Sequence, residues 1–125
     1  MKPLTIPLAT PVSLLVLIGG GEFSFGETRE IDQFVLDHLP EGKRTVAFIP
    51  AASGSAEYGA HFGTYLKTLA DGVETTNVPI YRGRDGRRNK NLATLASAGM
   101  IYLGGGVTNN LLDVLQGSPA DLAMR

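Results

Sequence analysis

The sequence predicts an α/β fold of three layers, with a mostly parallel sheet between two layers of helices. Three observations carry this. Short apolar runs recur along the chain, and each stops at Gly or Pro. Amphipathic helical patterns lie between them, and strands alternating with helices form parallel sheets. Two of the runs open into glycine-rich turns, Gly19-Gly20-Gly21-Glu22 and Gly104-Gly105-Gly106-Val107-Thr108. A buried parallel strand feeding a loop has this pattern.

Four strand–helix units follow in order. Residues 1–12, broken by Pro3, Pro7 and Pro11, read as an irregular lead-in. The first strand is expected over residues 13–18. A helix follows, with Ile31, Phe34, Val35 and Leu39 on one face at helical spacing. The second strand, Thr45–Ile49, is stopped by Pro50. The next helix carries Tyr58, Phe62, Tyr65, Leu66 and Leu69 on one stripe, with Gly72 as its stop. The third strand is expected over residues 75–81, with Pro79 at an irregular or edge position. A basic loop leads to a short helix over residues 92–98. The fourth strand is Met100–Leu103. A helix with Leu111, Leu112 and Leu115 breaks at Gly117. Ser118 and Pro119 then stand as N-cap and first residue of a last helix.

The 125 residues suit one α/β domain with a modest core. The chain is 43% hydrophobic and 18% charged, which places it among globular proteins rather than disordered ones. A net charge of −1 gives no general attraction to nucleic acid or to an anionic membrane. The absence of cysteine excludes disulfides and thiol catalysis. Lys2 and the apolar stretch after it faintly resemble a signal peptide, but three prolines interrupt it and no small-x-small site precedes Gly19. The expected location is cytoplasmic.

Ligands of open α/β sheets bind beyond the carboxyl ends of the strands, where both glycine turns should lie. A dinucleotide fingerprint would read Gly19-x-Gly21-x-x-Ser24, which ends in the wrong residue. The second strand runs into Pro50-Ala51-Ala52 rather than a ribose-binding acid. A phosphate loop would span Gly21, Gly26 and Thr28, but Glu27 stands where a lysine must reach the phosphates. The second turn suits another task. Successive glycines let backbone N–H groups approach a substrate and stabilise a developing oxyanion. A tight turn with no ligand is the plainer alternative.

Other candidates are weaker. Ser53 and Ser55 lack the G-x-S-x-G frame of an exposed nucleophile. His38 and His61 lie within helical patterns with no partner at metal-ligand spacing, and read as structural. Tyr58, Phe62 and Tyr65 read as core packing. Arg82, Arg84, Arg87, Arg88 and Lys90, relieved by Asp85, form the one strong charge cluster. A solvated loop or a contact to an acidic substrate group would account for it. No interleaved aromatic supports nucleic-acid binding.

Taken in order, Leu17-Ile18-Gly19-Gly20-Gly21-Glu22, Phe48-Ile49-Pro50-Ala51-Ala52-Ser53 and Tyr102-Leu103-Gly104-Gly105-Gly106-Val107-Thr108 resemble one family. The chain from Leu14 onward resembles the N-terminal half of the S51 serine peptidases, which include cyanophycinase and dipeptidase E. The resemblance implies a flavodoxin-like sheet of the class I glutamine amidotransferase type. It implies that the backbone of Gly105 and Gly106 belongs to the oxyanion hole. Substrate contacts are expected at Gly20, Gly21, Glu22, Val107 and Thr108, with Val107 replacing a polar residue usual in the family. The family's nucleophile lies on the next strand in a Gly-x-Ser-Ala-Gly elbow, with the histidine beyond it, and this sequence contains neither motif. The resemblance therefore implies a partial unit, cut before the nucleophile strand and inactive alone. Its substrate would be a peptide or small amide once the missing half is supplied, with no cofactor and no metal. A non-catalytic binding or assembly module, self-associating or joined by a complementing chain, is the alternative.

Overall fold

The computed structural model describes residues 14–18 and 20–124. Three strands form one parallel sheet: β1 (Thr45–Ile49), β2 (Glu74–Asn77) and β3 (Met100–Leu103), in the order β2-β1-β3. β1 pairs Thr45 with Glu74 on one side and Val46 with Met100 on the other. The expected lead-in, residues 1–12, lies outside the described residues.

The central place of β1 follows from its sequence. Thr45-Val46-Ala47-Phe48-Ile49 is apolar on both faces, as a strand covered on both sides must be. Val46 and Phe48 point into one core cluster with Phe23, Leu36, Phe62 and Leu66. Ala47 and Ile49 point into the other, with Leu95, Leu115 and Ala120. Helices α1 (Arg29–Asp37) and α2 (Ala56–Lys67) cover the first face. Helices α3 (Asn89–Ser97), α4 (Thr108–Leu115) and α5 (Pro119–Met124) cover the second. This is the three-layer α/β arrangement that the sequence predicts.

Three expectations are corrected. Residues 14–18 of the expected first strand form no strand: the run pairs with nothing among the described residues, and Leu14, Leu15 and Leu17 are exposed. An apolar run supplies the side chains of a strand, but only a paired ladder makes one. β2 is shorter than expected. It ends at Asn77, before Pro79, which has no N–H to extend the ladder. The third correction is on α1. Its expected inner face was Ile31, Phe34, Val35 and Leu39. The residues fully buried are Asp32 and Leu36, while Ile31 is 39% and Phe34 51% exposed. The helix is turned by about one residue, ~100°. Asp32 points inward because Thr28 and Tyr65 both donate to its Oδ2, each at 2.7 Å. Two hydrogen bonds to a carboxylate offset much of its desolvation.

The last helices agree with the sequence. Ser118 caps α5, its Oγ accepting from Asp121 N at 3.1 Å. α4 turns Leu115 fully inward but leaves Leu112 46% exposed.

The connections fix where a ligand can bind. From β1 the chain passes through α2 on one face to β2. From β2 it crosses back over β1, through α3 on the other face, to β3. Strand order therefore reverses between β1 and β3. The segments that leave these two strands diverge to opposite faces of the sheet. Crevices at such points, beyond the carboxyl ends of the strands, are where open α/β sheets bind ligands.

Candidate functional site

The turn after β3 sits in this crevice. Gly104 N donates to Ile49 O at 3.1 Å, and Val107 N donates to Ala52 O at 2.9 Å. The Asn110 amide adds a longer bond to the same Ala52 oxygen, 3.4 Å. The two N–H groups between these anchors, on Gly105 and Gly106, meet no acceptor among the described residues. Both residues are exposed. α4 begins directly after them, and its first turn has no side-chain cap. Two adjacent free donors thus stand beside the positive end of a helix.

Packing holds the turn in this shape. Gly106 has φ +148°, and a Cβ there would come within 2.5 Å of the Ala52 carbonyl. A Cβ at Gly104 would meet the Phe48 ring at the same distance. Gly105 is different: nothing lies within 4 Å of where its Cβ would stand. The flanking glycines are required by the fold, and the space beside the middle one is open.

The first glycine turn is held by a side chain. Gly20 and Gly21 have φ of +123° and +97°, in the region that favours glycine. Glu22 follows. Its Oε1 accepts from Ser24 N at 3.2 Å and from Ser24 Oγ at 3.1 Å, closing a short 3-10 turn over Phe23–Phe25. The Tyr58 hydroxyl lies 2.9 and 2.8 Å from the two Glu22 oxygens. Tyr58 holds the Glu22 carboxyl below the usual carboxylate range, against the opposing effect of burial. Burial and then Glu22 push the Tyr58 hydroxyl up to about 12.

One line of contacts links the two turns. The Phe48 ring packs under Gly104, its centroid lies 6.0 Å from that of Tyr58, and Tyr58 grips Glu22. The sequence reading placed Tyr58 in the core and missed this tie. The available signal was a hydroxyl on a half-buried stripe, which must find a partner.

Val107 is 56% exposed and Thr108 is exposed at the start of α4, so both border the open side of the second turn. Ser53 is a loop residue, as expected: its Oγ donates to Pro50 O and accepts from Ser55 N, both at 3.3 Å. His38, just after the end of α1, and His61, on α2, are both exposed, with His38 Nδ1 2.7 Å from Phe34 O. In the basic loop, Asp85 is buried and accepts from Tyr81 N and Arg82 N at 2.9 and 3.0 Å. These bonds hold its carboxyl below the usual range. Arg88 pairs with it at 3.2 Å. Among the described residues no three metal-ligating side chains come together, and no helix is long and apolar enough to cross a membrane.

A parallel α/β sheet with a turn of free N–H donors at its switch point is an arrangement in which backbone groups can meet a ligand. The particular family follows from comparison with known proteins: the model of peptidase family S51 matches residues 15–125, and the chain belongs to that family. A similar fold occurs in a crystal structure of a peptidase from an acI-B1 Actinobacterium, with TM-score 0.63 and 22% identity. The match covers 78% of this chain and 42% of that one. No curated protein matches.

Proposed function

We propose that this chain is the N-terminal part of a serine peptidase-like hydrolase of the cyanophycinase and dipeptidase E type. The observation that carries the reading is the pair of unengaged N–H groups on Gly105 and Gly106, flanked by donors that are both engaged. Acyl transfer places negative charge on the substrate carbonyl oxygen in the tetrahedral intermediate. Preorganised N–H groups stabilise that charge without reorganising at the moment of reaction. Gly20, Gly21, Glu22, Val107 and Thr108 border the same end of the sheet and supply the substrate contacts. The substrate is a peptide or small amide.

The nucleophilic serine and the histidine that activates it come from polypeptide outside these 125 residues. No serine here stands in a G-x-S-x-G frame, and the match spans 42% of the peptidase of similar fold. The purified chain is expected to show no peptide hydrolysis alone, and to gain it when the complementing polypeptide is added. Robust turnover by the chain alone would overturn the reading.

A second reading is a binding or assembly module that uses the fold without chemistry. It is favoured by the outer edge of β3, which pairs with nothing among the described residues, and by the exposed Leu103, Val107 and Leu112 close by. Open strand edges invite pairing. Light scattering after size exclusion separates the two, since a clean, stable monomer argues against self-association.

A further inference from the structure

The sheet has a second open edge, on β2. Glu74 N donates to Arg44 O and Val78 N to Phe48 O, so alternate residues 74, 76 and 78 turn their backbone groups toward β1. Thr75 and Asn77 turn theirs outward, and neither N–H meets an acceptor among the described residues. Edge strands are commonly blunted by a lysine, a proline or a bulge, and the centre of β2, Thr75-Thr76, carries none of these. Helix α2 lies over the line between β1 and β2. A Cβ at Gly59 would come 2.5 Å from Asn77 Oδ1 and 3.1 Å from the Phe48 ring, and one at Gly63 would come 3.1 Å from Thr75 Cβ. Gly59, Ala60, Gly63, Thr64 and Lys67 leave a groove of about 310 Å³ between the helix and the edge. Beneath these glycines, Thr75 Oγ1 and Asn77 Oδ1 are buried without a hydrogen-bond partner among the described residues.

We propose that this edge and groove receive a second copy of the chain, β2 against β2 in antiparallel register about Thr76. The register follows from the outward groups. Thr75 of each copy then faces Asn77 of the other, and each such pair exchanges both of its backbone hydrogen bonds. A two-fold axis through the sheet keeps the α2 faces of both copies on the same side. A hydroxyl that can donate therefore comes opposite a carboxamide oxygen that lacks a donor, on each side of the axis. Glu74 falls opposite Val78, so the ladder sets no like charges together. Helix packing agrees. The two copies of α2 run antiparallel at two strand spacings, ~10 Å, a distance at which helices pack. They meet through Ala60 and Gly63, which are small enough for it. Glu57 and Lys67 are exposed at opposite ends of α2 and form no ion pair among the described residues. Antiparallel packing brings Lys67 of each copy beside Glu57 of the other. Register and charge are thus self-complementary, which selects a second copy over an unrelated extended peptide. The β3 edge lies on the far side of the sheet, so this contact stands or falls separately from the hydrolase reading.

The test is sedimentation velocity of the 125-residue chain over a range of concentrations, with amide hydrogen exchange followed by NMR. A monomer–dimer equilibrium is expected, with exchange at the Thr75 and Asn77 amides slowing as the dimer forms. Ala60→Lys, at an exposed helical position and with its folding checked by circular dichroism, should abolish the dimer. Lys67→Glu should weaken association about tenfold, through one surface ion pair lost on each side of the axis. Adding Glu57→Lys to it should restore the dimer, because the pair is then re-formed with its charges exchanged. Leu112→Lys, close to the β3 edge, should leave the dimer unchanged. A chain that stays monomeric at the concentration of the NMR sample overturns the proposal. So does a dimer that survives Ala60→Lys, or one in which Thr75 and Asn77 still exchange fast. Dissociation by Leu112→Lys overturns it as well, since the contact would then lie at β3.

Discussion

The two glycine turns lie at the same end of one sheet, yet they are held by different means. Gly104–Gly106 is fixed by the backbone: its flanking N–H groups are engaged, and two of its three glycines sit where no side chain could fit. Gly20–Gly21 is fixed by one side chain, through the bonds from Glu22 to Ser24 and Tyr58. A backbone cradle holds its donors in place whatever the ionisation of nearby groups. A turn held by a carboxylate is sensitive to pH. The contrast suits the proposed roles, with constant oxyanion donors in one turn and adjustable substrate contacts in the other.

This comparison can be tested step by step. Phe48→Ala should have the largest effect, about 4 kcal/mol in chemical denaturation, because the ring is fully buried and packs under Gly104. Gly106→Ala should cost about 3 kcal/mol, combining a positive φ with a clash against the Ala52 carbonyl. If it costs nothing, the backbone account of the second turn is wrong.

Tyr58→Phe should cost about 1 kcal/mol and leave the Gly104–Gly106 amide resonances unchanged. Its clearer signature is in pH. The Glu22 pKa is lowered in the folded chain, so its stabilisation is present above the ordinary carboxylate pKa and lost as pH falls through the folded value. Removing the Tyr58 hydroxyl should raise the Glu22 pKa, seen by carboxyl NMR, and shrink the acid-induced loss. Tyr58 itself titrates the other way. Its stabilisation is complete below the ordinary value of 10.0 and is lost as pH rises through about 12. Stability curves for the variant should therefore be flatter at both ends. Gly105→Ala is the smallest expected change, within about 0.5 kcal/mol, since open space surrounds that position. A large loss there would show that the donor turn is packed rather than open.

Much of this was legible in the chain. Thr45–Ile49 and Met100–Leu103 were bounded correctly because a short, continuous apolar run stopped by Pro or Gly has few other uses. The Ser118–Pro119 start of α5 was legible for a local reason, since a cap acts within a few residues. The face of α1 was not legible. Apolar spacing favours Ile31 and Phe34 as the inner residues, and nothing near Asp32 in sequence announces that Tyr65 will come to meet it. Residues 14–18 misled for a related reason, because pairing depends on a neighbour that composition does not name.

The order of strands and helices, both glycine turns and the family are properties of the sequence by itself, because propensity, periodicity and turn chemistry act over short stretches. Tertiary structure alone decided which N–H groups stay free, which acid is buried, and that Tyr58 bridges to Glu22. Each of these depends on groups far apart in the chain and brought within about 3 Å, where hydrogen bonding and exclusion of water set the outcome.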